Sequence, residues 1–121
     1  MRATSKLGVC FVLLVSEFGL TSAQPADLPL IAQDSDGPCR MSVRGGGNYF
    51  AIEVSGLVRS EELVVTSASE GEVISRVTKA GPDGTYTAVD IPLVQGKSSG
   101  RGTFTVKGSR CEVRASYPWR E

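Results

Sequence analysis

Two kinds of hydrophobic pattern occupy this chain. Near its start, Leu7 to Val15 is a continuous apolar run. From Cys39 onward the apolar residues come in short stretches and alternate with polar ones. Alternation of period two sets successive side chains on opposite faces of a pleated strand. On that rule Cys39, Met41 and Val43 share one face of a first strand. Phe50, Ile52 and Val54 share a face of a second, with Glu53 turned away. Leu63 and Val65 open a third, and Val73 with Val77, or Ile74 on the other face, marks a fourth. Val89 and Ile91 share a face of a fifth, opposite Asp90, while Phe104 and Val106 lie in a sixth. Cys111, Val113, Ala115 and Tyr117 line a seventh, with Glu112, Arg114 and Ser116 facing out.

The breaks between these stretches carry turn chemistry. Gly45-Gly46-Gly47-Asn48 joins the first two strands, and Gly81-Pro82-Asp83-Gly84 the fourth and fifth. Lys107-Gly108-Ser109-Arg110 closes the last pair as a hairpin. After the leader, the longest run free of Gly and Pro is the 14 residues Leu57 to Glu70, which leaves little room for helices. From Pro38 onward there are 11 Val and 3 Ile but only 3 Leu. β-Branched side chains lose rotamer freedom in helices and fit sheets. The pattern predicts an all-β domain over residues 38–121, a two-sheet sandwich of about seven antiparallel strands, with a small barrel as the alternative.

The apolar run near the start belongs to a different kind of segment. Arg2 and Lys6 precede it, and Thr21-Ser22-Ala23 follow it with the small residues of a cleavage site. That order reads as a cleaved secretory signal peptide over residues 1–23. The run is too short to span a bilayer, and no second apolar stretch follows, so no membrane span is expected in the mature chain. Residues 24–37, with two Pro and three Asp, read as an exposed leader in which Leu28 to Ala32 adds at most an edge strand.

Export changes the cysteine arithmetic. Cleavage removes Cys10 and leaves Cys39 and Cys111, an even pair that reads as one disulfide in an oxidising compartment. Free thiols or a shared metal are the alternatives. The chain has no His, so a four-ligand zinc site would need carboxylates, and the spacing is far from CxxC. The same absence excludes Ser-His-Asp, Cys-His and HExxH sites.

With the domain outlined, Ser55 to Pro92 resembles the middle of bacterial immunoglobulin-like repeats. Asp83-Gly84-Thr85-Tyr86 is similar to their Asp-Gly-aromatic pattern after a strand. The resemblance covers about a third of the chain. It implies an immunoglobulin-like sandwich of the kind found as non-enzymatic parts of adhesins, envelope proteins or secreted enzymes.

Other motifs weaken on inspection. Gly96-Lys97-Ser98-Ser99 lacks the upstream Gly of a phosphate loop, since position 91 is Ile. Asp34-Ser35-Asp36-Gly37 has the oxygen density of a calcium loop but not its distal ligands, and reads as an Asp-rich turn. Glu61-Glu62 and Glu70-Gly71-Glu72 read as a solvated surface and not as a catalytic pair. No catalytic residue, cofactor or metal is expected. Tyr117 reads as packed, while Trp119 suits either the core or a stacking surface.

Charge is distributed unevenly. Residues 24–94 hold 5 basic and 10 acidic side chains, and residues 95–121 hold 6 basic and 2 acidic. Lys97, Arg101, Lys107, Arg110 and Arg114 make the last hairpin basic. The expected function is therefore an exported, periplasmic or secreted, non-enzymatic module. It binds an unknown protein or an anionic envelope component through that hairpin, while nucleic acid is not expected at a formal net charge of zero. The alternative is a structural accessory subunit that joins a partner by adding a strand at a sheet edge. A small carboxylate-based hydrolase is the remote third reading.

Overall fold

The structure, a computed structural model, describes residues 28–121; the expected signal peptide, 1–23, and residues 24–27 of the expected leader lie outside the described residues. Eight strands make up the described chain. They are β1 (Leu30–Asp36), β2 (Cys39–Gly46), β3 (Tyr49–Ser55), β4 (Glu62–Ser69), β5 (Glu72–Lys79), β6 (Tyr86–Asp90), β7 (Ser99–Lys107) and β8 (Glu112–Arg120). Two antiparallel four-stranded sheets form, ordered β1-β2-β3-β6 and β5-β4-β7-β8. No helix of the described residues is long and apolar enough to cross a membrane.

Local sequence explains the tight turns. β2 and β3 pair down to Gly46↔Tyr49, so Gly47-Asn48 alone closes that hairpin. β4 and β5 pair down to Ser69↔Glu72, and the two intervening residues, Glu70 and Gly71, both take positive φ (48° and 90°). That is the primed turn whose twist matches the strands it joins. The Gly81–Gly84 segment carries the chain between sheets, because β5 and β6 lie in different ones. Asp83 stabilises it by accepting from the Thr85 N–H and hydroxyl at 3.1 and 2.7 Å.

The core lies between the two inner faces. Alternation correctly assigns β2, β3 and the first half of β4, where Met41, Val43, Phe50, Ile52, Leu63 and Val65 are all buried. It also assigns β7 and β8. Here two glycines have a packing role. Gly100 and Gly102 lie directly opposite Trp119 and Tyr117. A Cβ on Gly102 would stand 3.0 Å from the Tyr117 ring, and one on Gly100 2.9 Å from the Trp119 ring. The small residues make room for the large ones. Tyr117 stacks at a tilt on Phe50 across the sandwich, with centroids 4.4 Å apart. Trp119 is buried, and its indole N–H donates to Ser69 Oγ at 2.7 Å.

Cys39 and Cys111 are joined, with Cα atoms 6.2 Å apart and a sequence separation of 72. The bond links the start of β2 in one sheet to the entry of β8 in the other. Such a bond is consistent with an oxidising compartment.

Three readings are refined or corrected. The edge strand allowed for within the leader is present and longer than Leu28 to Ala32: β1 pairs with β2 from Leu30↔Arg44 to Asp36↔Cys39. The sandwich thus starts at Leu30 and has eight strands. The fifth expected strand is inverted: Tyr86, Ala88 and Asp90 of β6 turn toward the core, and Val89 and Ile91 are 53% and 51% exposed. The reason is a polar partner inside. The buried Tyr117 hydroxyl donates to Asp90 Oδ2, and Ser67 Oγ donates to Asp90 Oδ1 at 3.3 Å. Finally, no apolar side chain of β5 is buried. Val73, Ile74 and Val77 are 64%, 66% and 62% exposed, because β5 is an edge strand with little of the other sheet opposite it.

Candidate functional site

The five expected cations divide between a face and two loops. Register pairs Arg101 with Pro118, Thr105 with Arg114, and Lys107 with Glu112. Arg101, Lys107 and Arg114 therefore share the outer face of the β7–β8 hairpin. Arg120, opposite Ser99, is on the same face and was not among the expected residues. The four spread along the hairpin: Arg101 and Arg120 stand toward one end, Lys107 and Arg114 toward the other, with Thr103 and Ser116 between. Glu112 sits opposite Lys107 and 4.0 Å from the Arg114 guanidinium. Lys97 lies in the β6–β7 connection and pairs with Glu70 at 3.5 Å. Arg110, in the hairpin loop, reaches the Gly56 carbonyl at 3.4 Å.

The acidic candidates act as backbone acceptors. Glu61 accepts from the Val58 and Ser109 N–H groups, each at 2.8 Å, and so ties the β3–β4 loop to the last hairpin. The Ser109 bond foremost holds its carboxyl below the usual glutamate range. Glu70 accepts from the Arg101 N–H at 3.0 Å and is lowered first by that bond, then by Lys97. Burial raises the Tyr117 hydroxyl far above its usual range, and Asp90 adds to the effect. Among the described residues no group of three or more acidic or Cys side chains is placed to hold a metal ion. A groove of about 320 Å³ is lined by Ile31, Gly46, Gly47, Pro118, Trp119 and Arg120, without a carboxylate.

Asp34 and Asp36 have a more specific role than an Asp-rich turn. They lie two residues apart on β1, so both point the same way, toward β8. Asp36 accepts from the Glu112 N–H and Asp34 from the Arg114 N–H, each at 2.8 Å. These are N–H groups of β8, the edge strand of its sheet. The Arg120 N–H is taken by the Gly47 carbonyl at 3.0 Å. One flank of the sandwich is thus closed by side chains of the other sheet, and the disulfide lies at the same flank.

Among the described residues the opposite flank is open. There the edges are β6, five residues long and followed by Ile91-Pro92, and β5, eight residues with neither Pro nor Gly. Val64 pairs directly with Val77, and Ala68 with Val73, on the outer face of β4–β5. Between these apolar rungs, Thr66 and Ser75 share a hydrogen bond of 2.6 Å. On the inner side Ile74 is exposed, and Arg76 meets the Tyr86 hydroxyl at 3.4 Å. An exposed apolar edge of this length is a template for another strand. One signal for it was present in the sequence: apolar residues at 73, 74 and 77 do not keep to one face of a strand.

Two four-stranded antiparallel sheets, with the chain crossing between them at β3–β4, β5–β6 and β6–β7, define an all-β sandwich compatible with an immunoglobulin-like fold. No protein-family model, curated protein or solved structure matches the chain.

Proposed function

We propose that this chain is an exported, periplasmic or secreted, non-enzymatic module of immunoglobulin-like class that binds a macromolecular partner by strand addition at β5. One observation carries this reading: among the described residues β5 is unpaired on one side and exposes Val73, Ile74 and Val77, while the β8 edge of the same sheet is occupied by Asp34 and Asp36. Main-chain hydrogen bonds would supply affinity, and the exposed valines would select the partner's side chains. This places the sheet edge ahead of the basic hairpin, because the five cations do not converge.

The basic hairpin supports a second reading. Arg101, Lys107, Arg114 and Arg120 share one outer face with a single carboxylate, Glu112. An acidic protein or anionic envelope surface would suit that face and would dissociate as salt rises.

A photo-crosslinking side chain placed at Val77, Thr105 or Arg114 in the exporting cell separates the two. Adducts formed from Val77 and insensitive to salt support the edge. Adducts confined to Thr105 and Arg114 and lost at high salt overturn it in favour of the basic face.

A further inference from the structure

We infer that the strand added at β5 comes from a second copy of this chain, so that the two β5 strands pair antiparallel about a two-fold axis through Ser75. This rests on the sheet-edge reading and names its partner. In a continuous sheet, paired residues must lie on the same face, so the axis passes through a residue of β5. Three central registers are available. An axis at Arg76 sets two guanidinium groups directly opposite each other, which is repulsive. An axis at Ile74 puts Val73 opposite Ser75 and Val77 opposite Gly71, which breaks up the apolar rungs.

An axis at Ser75 resolves both problems. Val73 of each copy then faces Val77 of the other. Because Ala68 already pairs with Val73 and Val64 with Val77, each rung extends as Ala68-Val73-Val77-Val64 across the two copies. The hydroxyl rung between them extends likewise, as Thr66-Ser75-Ser75-Thr66. On the inner face, Glu72 of one copy stands diagonally to Arg76 of the other, within reach for an ion pair, and this occurs twice by symmetry. Both the apolar pattern and the charges of β5 are therefore self-complementary in one register. The far edge of the same sheet, β8, is occupied by Asp34 and Asp36, so pairing closes at two copies and does not extend into a fibre. A contact of one strand per copy falls well below the roughly 1,600 Å² of a standard interface, so the dimer dissociates on dilution.

Sedimentation velocity of the disulfide-bonded chain over a micromolar to millimolar series tests this. The expected result is a rise from monomer to dimer mass. Val73→Lys with Val77→Lys puts like charges opposite each other twice and weakens association roughly tenfold or more. Val73→Lys with Val77→Glu pairs opposite charges in the same places and restores it. Both positions are exposed, so these variants keep the fold, as an unchanged Cys39–Cys111 bond and sheet signal would verify. In a Cys10→Ser chain, Ser75→Cys forms a disulfide-linked dimer under mild oxidation, and Arg76→Cys does so far more slowly. A chain that stays monomeric throughout the series overturns the inference. So does a dimer indifferent to Val73→Lys/Val77→Lys, or one that cross-links equally through position 76. The cellular cross-link from Val77 distinguishes the two levels: an adduct only with a different protein overturns self-pairing and leaves the sheet-edge reading, whereas no adduct from Val77 overturns both.

Discussion

The Tyr117 hydroxyl sits in the core with no solvent exposure, and Asp90 is its acceptor. The two partners are not equivalent. Asp90 lies toward the open flank and is only half-buried, so it can hydrate if the tyrosine oxygen is removed. Tyr117 cannot. Asp90→Ala should therefore cost about 2 kcal/mol and Tyr117→Phe about 1 kcal/mol in urea unfolding. Equal costs, or a larger one for Tyr117→Phe, would contradict the assignment. Glu61 provides a pH test. Its bonds to Ser109 and Val58 depress its titration in the folded chain, so the unfolded chain takes up a proton first as pH falls. The stability this confers is present at neutral pH and is lost as pH falls through the glutamate range. Glu61→Gln should reduce stability at neutral pH and flatten that acid limb in urea midpoints. At this scale the sequence is least legible. Alternation put Val89 and Ile91 inside because it ranks apolar above acidic, and only the position of the Tyr117 hydroxyl reverses that order.

Strands that bury one face completely were readable. Met41, Val43, Phe50, Ile52, Val54, Val106 and Val113 obey period two because each faces a complete sheet. Val73, Ile74 and Val77 marked β5 as a strand, but its exposure was not readable, because burial of an edge strand depends on what lies opposite, which its own residues do not encode. The edge strand allowed for at Leu28 to Ala32 is β1, but its extension through Asp36 was not readable because Asp34 and Asp36 resemble turn residues; their role as acceptors depends on β8, about 80 residues away in the chain. The placement of the expected basic residues was partly readable for the same reason. Arg101, Lys107 and Arg114 fall on one face only when the hairpin register is known. Asp34→Ala and Asp36→Ala should each cost about 1 kcal/mol in urea unfolding. Both should also speed amide exchange at Arg114 and Glu112 respectively, and not at the β4–β7 pairs.

The whole molecule is asymmetric between its flanks. One is closed by the Cys39–Cys111 bond and by the carboxylates of β1. The other ends, among the described residues, in two uncovered edges. For a loop with a sequence separation of 72, the chain-entropy model assigns the disulfide about 4 kcal/mol, acting mainly on the unfolded chain. That is a large share of the stability of a small domain. Cys39→Ala with Cys111→Ala should lower the urea midpoint accordingly, and reduction of the native chain should match it. Residue-resolved amide hydrogen exchange on the dilute, oxidised chain tests the asymmetry most directly. Slow exchange is expected at Glu112 and Arg114, and fast exchange at those amides of β5 that point away from β4. Fast exchange at Glu112 and Arg114, or uniform protection along β5 in the dilute chain, would contradict it.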